Sequence, residues 1–186
     1  MTSDVIAALI SLLIFPGLIF AAVVGMLATW VDRKVTARIQ WRVGPPLLQP
    51  FYDFLKLLGK EVIVPRTASK FVFLAAPLIG LAGATLAATL LGTAALNRSD
   101  GFTGDLIVLV YLLVIPSLAI ILGAGASANP YASVGASREI KLVLGYELPF
   151  IISVLAAVVK SGGQLTMTGL LAYQYQHGSF AGSVSG

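Results

Sequence analysis

Long apolar runs, all but the last uncharged, alternate with polar breaks along this chain. The first run covers Val5 to Val31, with Pro16-Gly17 in its middle. Others follow over residues 71–96, 106–126 and 139–159, the third interrupted by Pro116. Each reaches the roughly 20 residues that a helix needs to cross a bilayer. Prolines inside such helices are tolerated where neighbours satisfy the freed carbonyls, so Pro16 predicts a kink, as a hinge or as ordinary packing. In the second run Gly80, Gly83, Ala84, Ala87 and Ala88 form a small-residue face for close helix contact.

One polar stretch divides the first two runs, from Asp32 to Lys70. It holds eight of the twelve Lys and Arg residues against three acids. Within it Leu47, Leu48, Phe51, Phe54, Leu55 and Leu58 recur at helical spacing, with Gln49, Asp53, Lys56 and Lys60 opposite. That pattern predicts an amphipathic helix over about 47–60, too short to cross and lying in the interface or against the spans. Pro45 and Pro46 suit its start. The remaining breaks are Asn97-Arg98-Ser99-Asp100, running on to Asp105, and a turn-rich link over residues 127–137. Residues 160–186 are rich in Gly and Ser, with an apolar patch over 165–173 too short to span.

These elements predict an all-α fold, a polytopic membrane helix bundle of about four transmembrane helices plus a cytoplasmic amphipathic helix. The whole of residues 1–186 then forms a single membrane domain. With the basic loop cytoplasmic, Arg138 and Lys141 fall on the same side and only Arg98 and Lys160 lie opposite. That ten-to-two division follows the positive-inside rule. It sets the 160–186 tail and both ends of the chain outside. Met1 to Asp4 lacks the basic start of a signal peptide, and the run after it is too long for one.

Composition agrees. The chain is 58% hydrophobic and 11% charged, with mean hydropathy +0.93. A soluble chain would carry about 25% charge. The net charge of +4 lies beside a span, which points to topology and to lipid or partner contacts rather than nucleic acid. Without cysteine the chain has no disulfide, no thiolate metal site and no ligand for an iron–sulfur cluster. There is no nucleophile triad, phosphate-binding glycine loop or metal-ligand cluster. His177, the one histidine, falls in the polar tail as a solvated residue.

Glu147 is the chemical candidate. It lies about 12 Å further along the fourth span than Glu139, at a depth where an ionisable group is costly and implies function. A neutral, hydrogen-bonded packing role is the alternative. Pro149 leaves a nearby carbonyl without its donor. Arg138, Glu139 and Lys141 sit at the mouth of the span, as a topology anchor or a functional cluster, with Glu139 at the helix start. Asp53, Lys56, Lys60 and Glu61 extend a polar track or serve only the amphipathic helix.

Two motifs carry a resemblance. Asp32-Arg33-Lys34-x-x-Ala37-Arg38-Ile39-Gln40-x-Arg42-x-Gly44-Pro45 is followed by Leu48-Gln49-Pro50 and Asp53-x-x-Lys56-Leu57-x-x-Lys60-Glu61. Gly135-Ala136-Ser137-Arg138-Glu139 with Tyr146-Glu147 forms the second. Together they resemble the membrane subunit of complex I that walls the quinone chamber, and its relatives in group 4 energy-converting [NiFe] hydrogenases. The short Gly44-Pro45-Pro46-Leu47-Leu48-Gln49 turn and Arg138-Glu139 resemble the hydrogenase branch of the Ech, formate hydrogenlyase and membrane-bound types.

The resemblance implies a non-catalytic anchor and coupling subunit, linking electron transfer in a soluble arm to proton or sodium-ion translocation. It implies Glu147 and Glu139 as relay carboxylates tuned by Arg138 and Lys141, with Asp53, Lys60 and Glu61 lining the coupling region. Arg33, Lys34, Arg38 and Arg42 would dock the soluble arm. It also implies iron–sulfur clusters and a NiFe centre in partner chains, with hydrogenase large and small subunits and antiporter-like membrane subunits as partners. The expected location is a prokaryotic cytoplasmic membrane. A complex I-like quinone oxidoreductase is the alternative, with quinone as substrate; a structural anchor or small transporter is the alternative from another class. Family members are longer, with further spans and an acidic loop, so a truncated or split chain, or a partner that supplies the rest, is expected.

Overall fold

The structure, a computed structural model, describes residues 2–96 and 101–180. The described residues are helical, with seven helices in the order α1 (Thr2–Leu13), α2 (Leu18–Ile39), α3 (Gln49–Leu58), α4 (Lys70–Ala95), α5 (Asp105–Ala126), α6 (Pro130–Lys160) and α7 (Met167–His177). Four stretches are long and apolar enough to cross a membrane: Val5–Ile39, Lys70–Ala95, Asp105–Ala126 and Pro130–Lys160. Arg98 and the link from Asn97 to Asp100 lie outside the described residues. The chain divides into two compact units, one up to Ile63 and one from Val64 on.

In the first unit Pro16 does more than kink the helix. α1 ends at Leu13 and α2 begins at Leu18, because proline lacks an N–H and its ring blocks the preceding turn. α2 in turn does not stop where the charges begin. It runs on through Asp32, Arg33, Lys34 and Arg38, so these residues are helical rather than in a loop. Charge alone does not end a helix, and this stretch has no proline or glycine to do so.

α2 ends in a left-handed cap. Trp41 has φ 58°, its N–H donates to the Arg38 carbonyl (3.1 Å), and the Arg42 N–H donates to Ala37 (2.8 Å). These two bonds define the Schellman motif, normally closed by glycine at the position Trp41 holds. A bulky L-residue there costs about 1–2 kcal/mol. The chain then folds back along α2. A Cβ on Gly44 would come within 3.2 Å of the Lys34 Cα, so only glycine passes there unhindered. Trp30 Nε1 donates to the Pro45 carbonyl (3.1 Å), and α3 follows with Pro50 in its first turn.

In the second unit α4 and α5 pack most closely. Gly80 meets Ala119, and Gly83 meets Ile115 so tightly that a Cβ would lie 2.6 Å from the Ile115 Cγ2. Ala76, Ala87 and Ala94 complete the buried face of α4. The expected small-residue face is therefore present but rotated: Ala84 is exposed and Ala88 only half-buried. Pro77, Pro116 and Pro149 stand inside continuous helices, so Pro116 interrupts nothing.

α6 starts at Pro130, not near Glu139. Asn129 caps it by accepting from the Tyr131 N–H (3.0 Å), and Pro130 holds the first-turn place that suits proline. Glu139 thus lies well inside the helix. The apolar patch over 165–173 becomes α7, which packs Leu170 on Leu106 and Val158. His177 ends that helix with its ring stacked 4.2 Å from Tyr173, rather than lying in a polar tail.

Candidate functional site

Two clusters carry the candidate chemistry, one in each unit. In the first unit the return of the chain brings α3 beside α2, and the Asp53 carboxylate joins them. Its Oδ2 accepts from Arg33 Nη1 (3.1 Å) and its Oδ1 from Gln49 Nε2 (3.0 Å). Those hydrogen bonds, from Gln49 first and then Arg33, hold the Asp53 carboxyl below its usual range, and the guanidinium charge adds to them. Arg33 and Asp53, given separate roles by sequence, are one ion pair. Around them lies a cleft of about 400 Å³, walled by Ala22, Gly25, Met26, Phe54 and Leu57. Lys60 and Glu61 follow the end of α3 and are exposed, away from that pair by sequence and without an ion-pair partner among the described residues.

The other basic residues gather at the tip of α2. Lys34, Arg38 and Arg42 surround a recess of about 520 Å³ with Trp41, Val43 and Gly44. Trp41 and Val43 are each 98% exposed.

In the second unit Glu139 and Glu147 lie on the stripe of α6 that also carries buried Ala136 and Val143. Both are half-buried, and neither has a hydrogen-bond or ion-pair partner among the described residues. Arg138 and Lys141 point off that stripe and are exposed. Beside Glu147, the Tyr146 hydroxyl lies 3.2 Å from the Ser117 hydroxyl of α5. The missing N–H of Pro149 leaves the Gly145 carbonyl without its helical donor. The stripe thus carries two carboxyl-bearing residues separated by about 12 Å of helix rise.

Asp105 gains a role that its sequence position, at the end of a link, did not suggest. The carboxylate is 4% exposed and its Oδ1 accepts from the Met167 N–H (2.8 Å), the first residue of α7. Asp105 also sits in the first turn of α5. One carboxylate therefore serves two helix N-termini, where unpaired N–H groups and the dipole favour negative charge. The signal was an acid next to the start of an apolar run.

Residues 10–184 match the family described as NADH dehydrogenase. The chain belongs to the NADH dehydrogenase family. Relatives in that family include an NADH-quinone oxidoreductase subunit of Thermomicrobium roseum, 40% identical over 72% of this chain and 44% of its own. The subunit of the same name from a Geobacillus species is 36% identical over 82% of this chain and 49% of its own. NADH-ubiquinone oxidoreductase chain 1 of Carassius auratus is 38% identical over 75% and 44%. The chain spans about half the length of the curated relatives it matches.

These relatives overturn the hydrogenase branch. They are quinone oxidoreductase subunits, and neither the hydrogenase function nor its NiFe centre and hydrogenase subunits are supported. The features that favoured that branch were a shortened surface turn and one residue pair. A connecting loop changes length at little thermodynamic cost, so it marks a branch poorly. Membership as a membrane subunit of the complex I type stands, and with it the four membrane-length helices.

Proposed function

We propose that this chain is part of the membrane subunit of an NADH-quinone oxidoreductase, anchoring a soluble electron-transfer arm and coupling quinone reduction to proton movement. One observation carries this reading. A chain 40% and 36% identical to two subunits named for that activity places its two in-span carboxyls on one half-buried stripe. In it Glu147 and Glu139 bind and release protons in turn. Arg138 and Lys141, exposed near Glu139, set the local field at the mouth.

The cleft between α2 and α3 supports quinone as the substrate. Its walls are apolar, as an isoprenoid tail requires, and the Arg33–Asp53 pair supplies polar groups for a ring oxygen. Lys60 and Glu61, exposed after the end of α3, lie outside that cleft. Lys34, Arg38 and Arg42, with Arg33 partly committed to Asp53, dock the soluble arm on the cytoplasmic face of a prokaryotic membrane. Iron–sulfur clusters reside in the partner chains.

Affinity purification of the full-length protein from its native membrane tests the reading. NADH-dependent quinone reduction, with iron–sulfur absorbance in the same fraction, is the expected result. A protein that purifies without either contradicts it.

A further inference from the structure

The tip of α2 presents apolar side chains that this unit leaves uncovered. Asp32 is the first charge after the apolar run, and α2 continues seven residues past it to Ile39, about 10 Å of rise. Trp41 stands beyond that. The headgroup layer adds only about 5–8 Å on each side of the hydrocarbon. α3 and the returning chain lie back along α2, since Pro45 is tied to Trp30 and Phe54 and Leu57 share a cleft with Ala22 to Thr29. Counted from Asp32, the tip lies further out than the headgroup layer is deep, which argues against an interfacial tryptophan belt.

Three observations meet at this apex. Trp41 and Val43 are almost wholly exposed. Trp41 holds the left-handed place where glycine would be unstrained. Lys34, Arg38 and Arg42 ring the recess beside it. Strain kept at a solvent-exposed aromatic gains nothing for this unit by itself. Tryptophan and arginine together are the side chains that dominate protein interfaces.

We propose that Trp41 and Val43 are the apolar anchor of an interface with a soluble protein partner, which offers an apolar pocket rimmed by carboxylates. The proposal rests on the docking reading above and narrows it: Trp41 supplies the affinity, while Lys34, Arg38 and Arg42 supply orientation and association rate.

The test uses the full-length protein in its native membranes. A benzophenone side chain replaces Trp41, and the photoproduct is mapped. The expected product joins position 41 to a peptide of a soluble-arm protein in which apolar residues are flanked by Asp or Glu. A product with lipid, with a second copy of this chain, or with nothing overturns the proposal. Rebinding of the soluble arm to stripped membranes is then measured against salt. Trp41→Ala and Trp41→Gly weaken it by about thirty-fold at every salt concentration, and Trp41→Phe keeps most of the affinity. Glycine suits the left-handed turn better than tryptophan, so loss in Trp41→Gly does not reflect a damaged fold. Arg38→Gln with Arg42→Gln instead flattens the salt dependence. If the arginine pair weakens rebinding and Trp41→Gly does not, the anchor is wrong and the docking reading stands. If neither changes rebinding, both fall.

Discussion

The unit up to Ile63 is held by polar ties, and the unit from Val64 on by close packing of small side chains. α2 buries no residue. It is joined to α3 through Trp30–Pro45, Arg33–Asp53 and Gln49–Asp53, and its apolar surface stays open. α4 and α5 instead bury Ala76, Gly83, Ala87, Leu109 and Ala119 against one another. The difference teaches how each region relates to its surroundings. In lipid an exposed apolar face costs nothing, so association of spans needs van der Waals fit, which glycine and alanine provide. A segment that leaves the membrane has water to contend with, and there hydrogen bonds and charge set the geometry.

The largest effect is expected where the fit is closest. Gly83→Leu forces a side chain into Ile115 and should destabilise the second unit by about 3 kcal/mol, the upper part of the overpacking range. Ala84→Leu, one residue on and exposed, should be near neutral. Thermal unfolding in detergent compares the two; equal losses would deny that α4 uses the face described.

Asp105→Ala comes next. It leaves the Met167 N–H without its acceptor and should cost about 2 kcal/mol, freeing the α7 start. Amide exchange at Met167 reads this, and unchanged protection would show that the carboxylate is not its partner. Asp105→Asn keeps an acceptor oxygen and should lose less.

The smallest effect belongs to the exposed pair. Arg33→Gln should lower stability less than Gly83→Leu or Asp105→Ala, and less still at high salt. Asp53 has its carboxyl held low in the folded chain, so its contribution is present at neutral pH. It is lost as pH falls below the ordinary carboxylate value of about 3.9. Titration of Asp53 by NMR in Arg33→Gln should show its midpoint rise toward that value. A midpoint that stays low would mean that Arg33 does not hold it.

Much of this was legible in the chain. Four apolar runs, the amphipathic pattern of α3 and the glycine–alanine face of α4 follow from composition and period. The boundaries did not, for identifiable reasons. Charges at Asp32 to Arg38 end a hydrophobic run but not a helix, and Trp41 closes α2 in a conformation that its identity does not advertise. Asn129-Pro130 reads as a turn, yet the same pair is a good helix start, and only the helix after it decides. Arg33 and Asp53 lie twenty residues apart, so their meeting depends on the reversal at Gly44, which no periodicity encodes. Glu147 stood out by its depth and Glu139 by its place in a charged cluster, while Asp105 was hidden by its place at a boundary.

The central claim is that the α6 stripe couples electron flow to proton movement. The direct measurement is the proton-to-electron ratio of the assembled complex in proteoliposomes, for the native protein and Glu147→Gln. The account predicts intact assembly and continued quinone reduction with the ratio clearly reduced. An unchanged ratio in Glu147→Gln would contradict it.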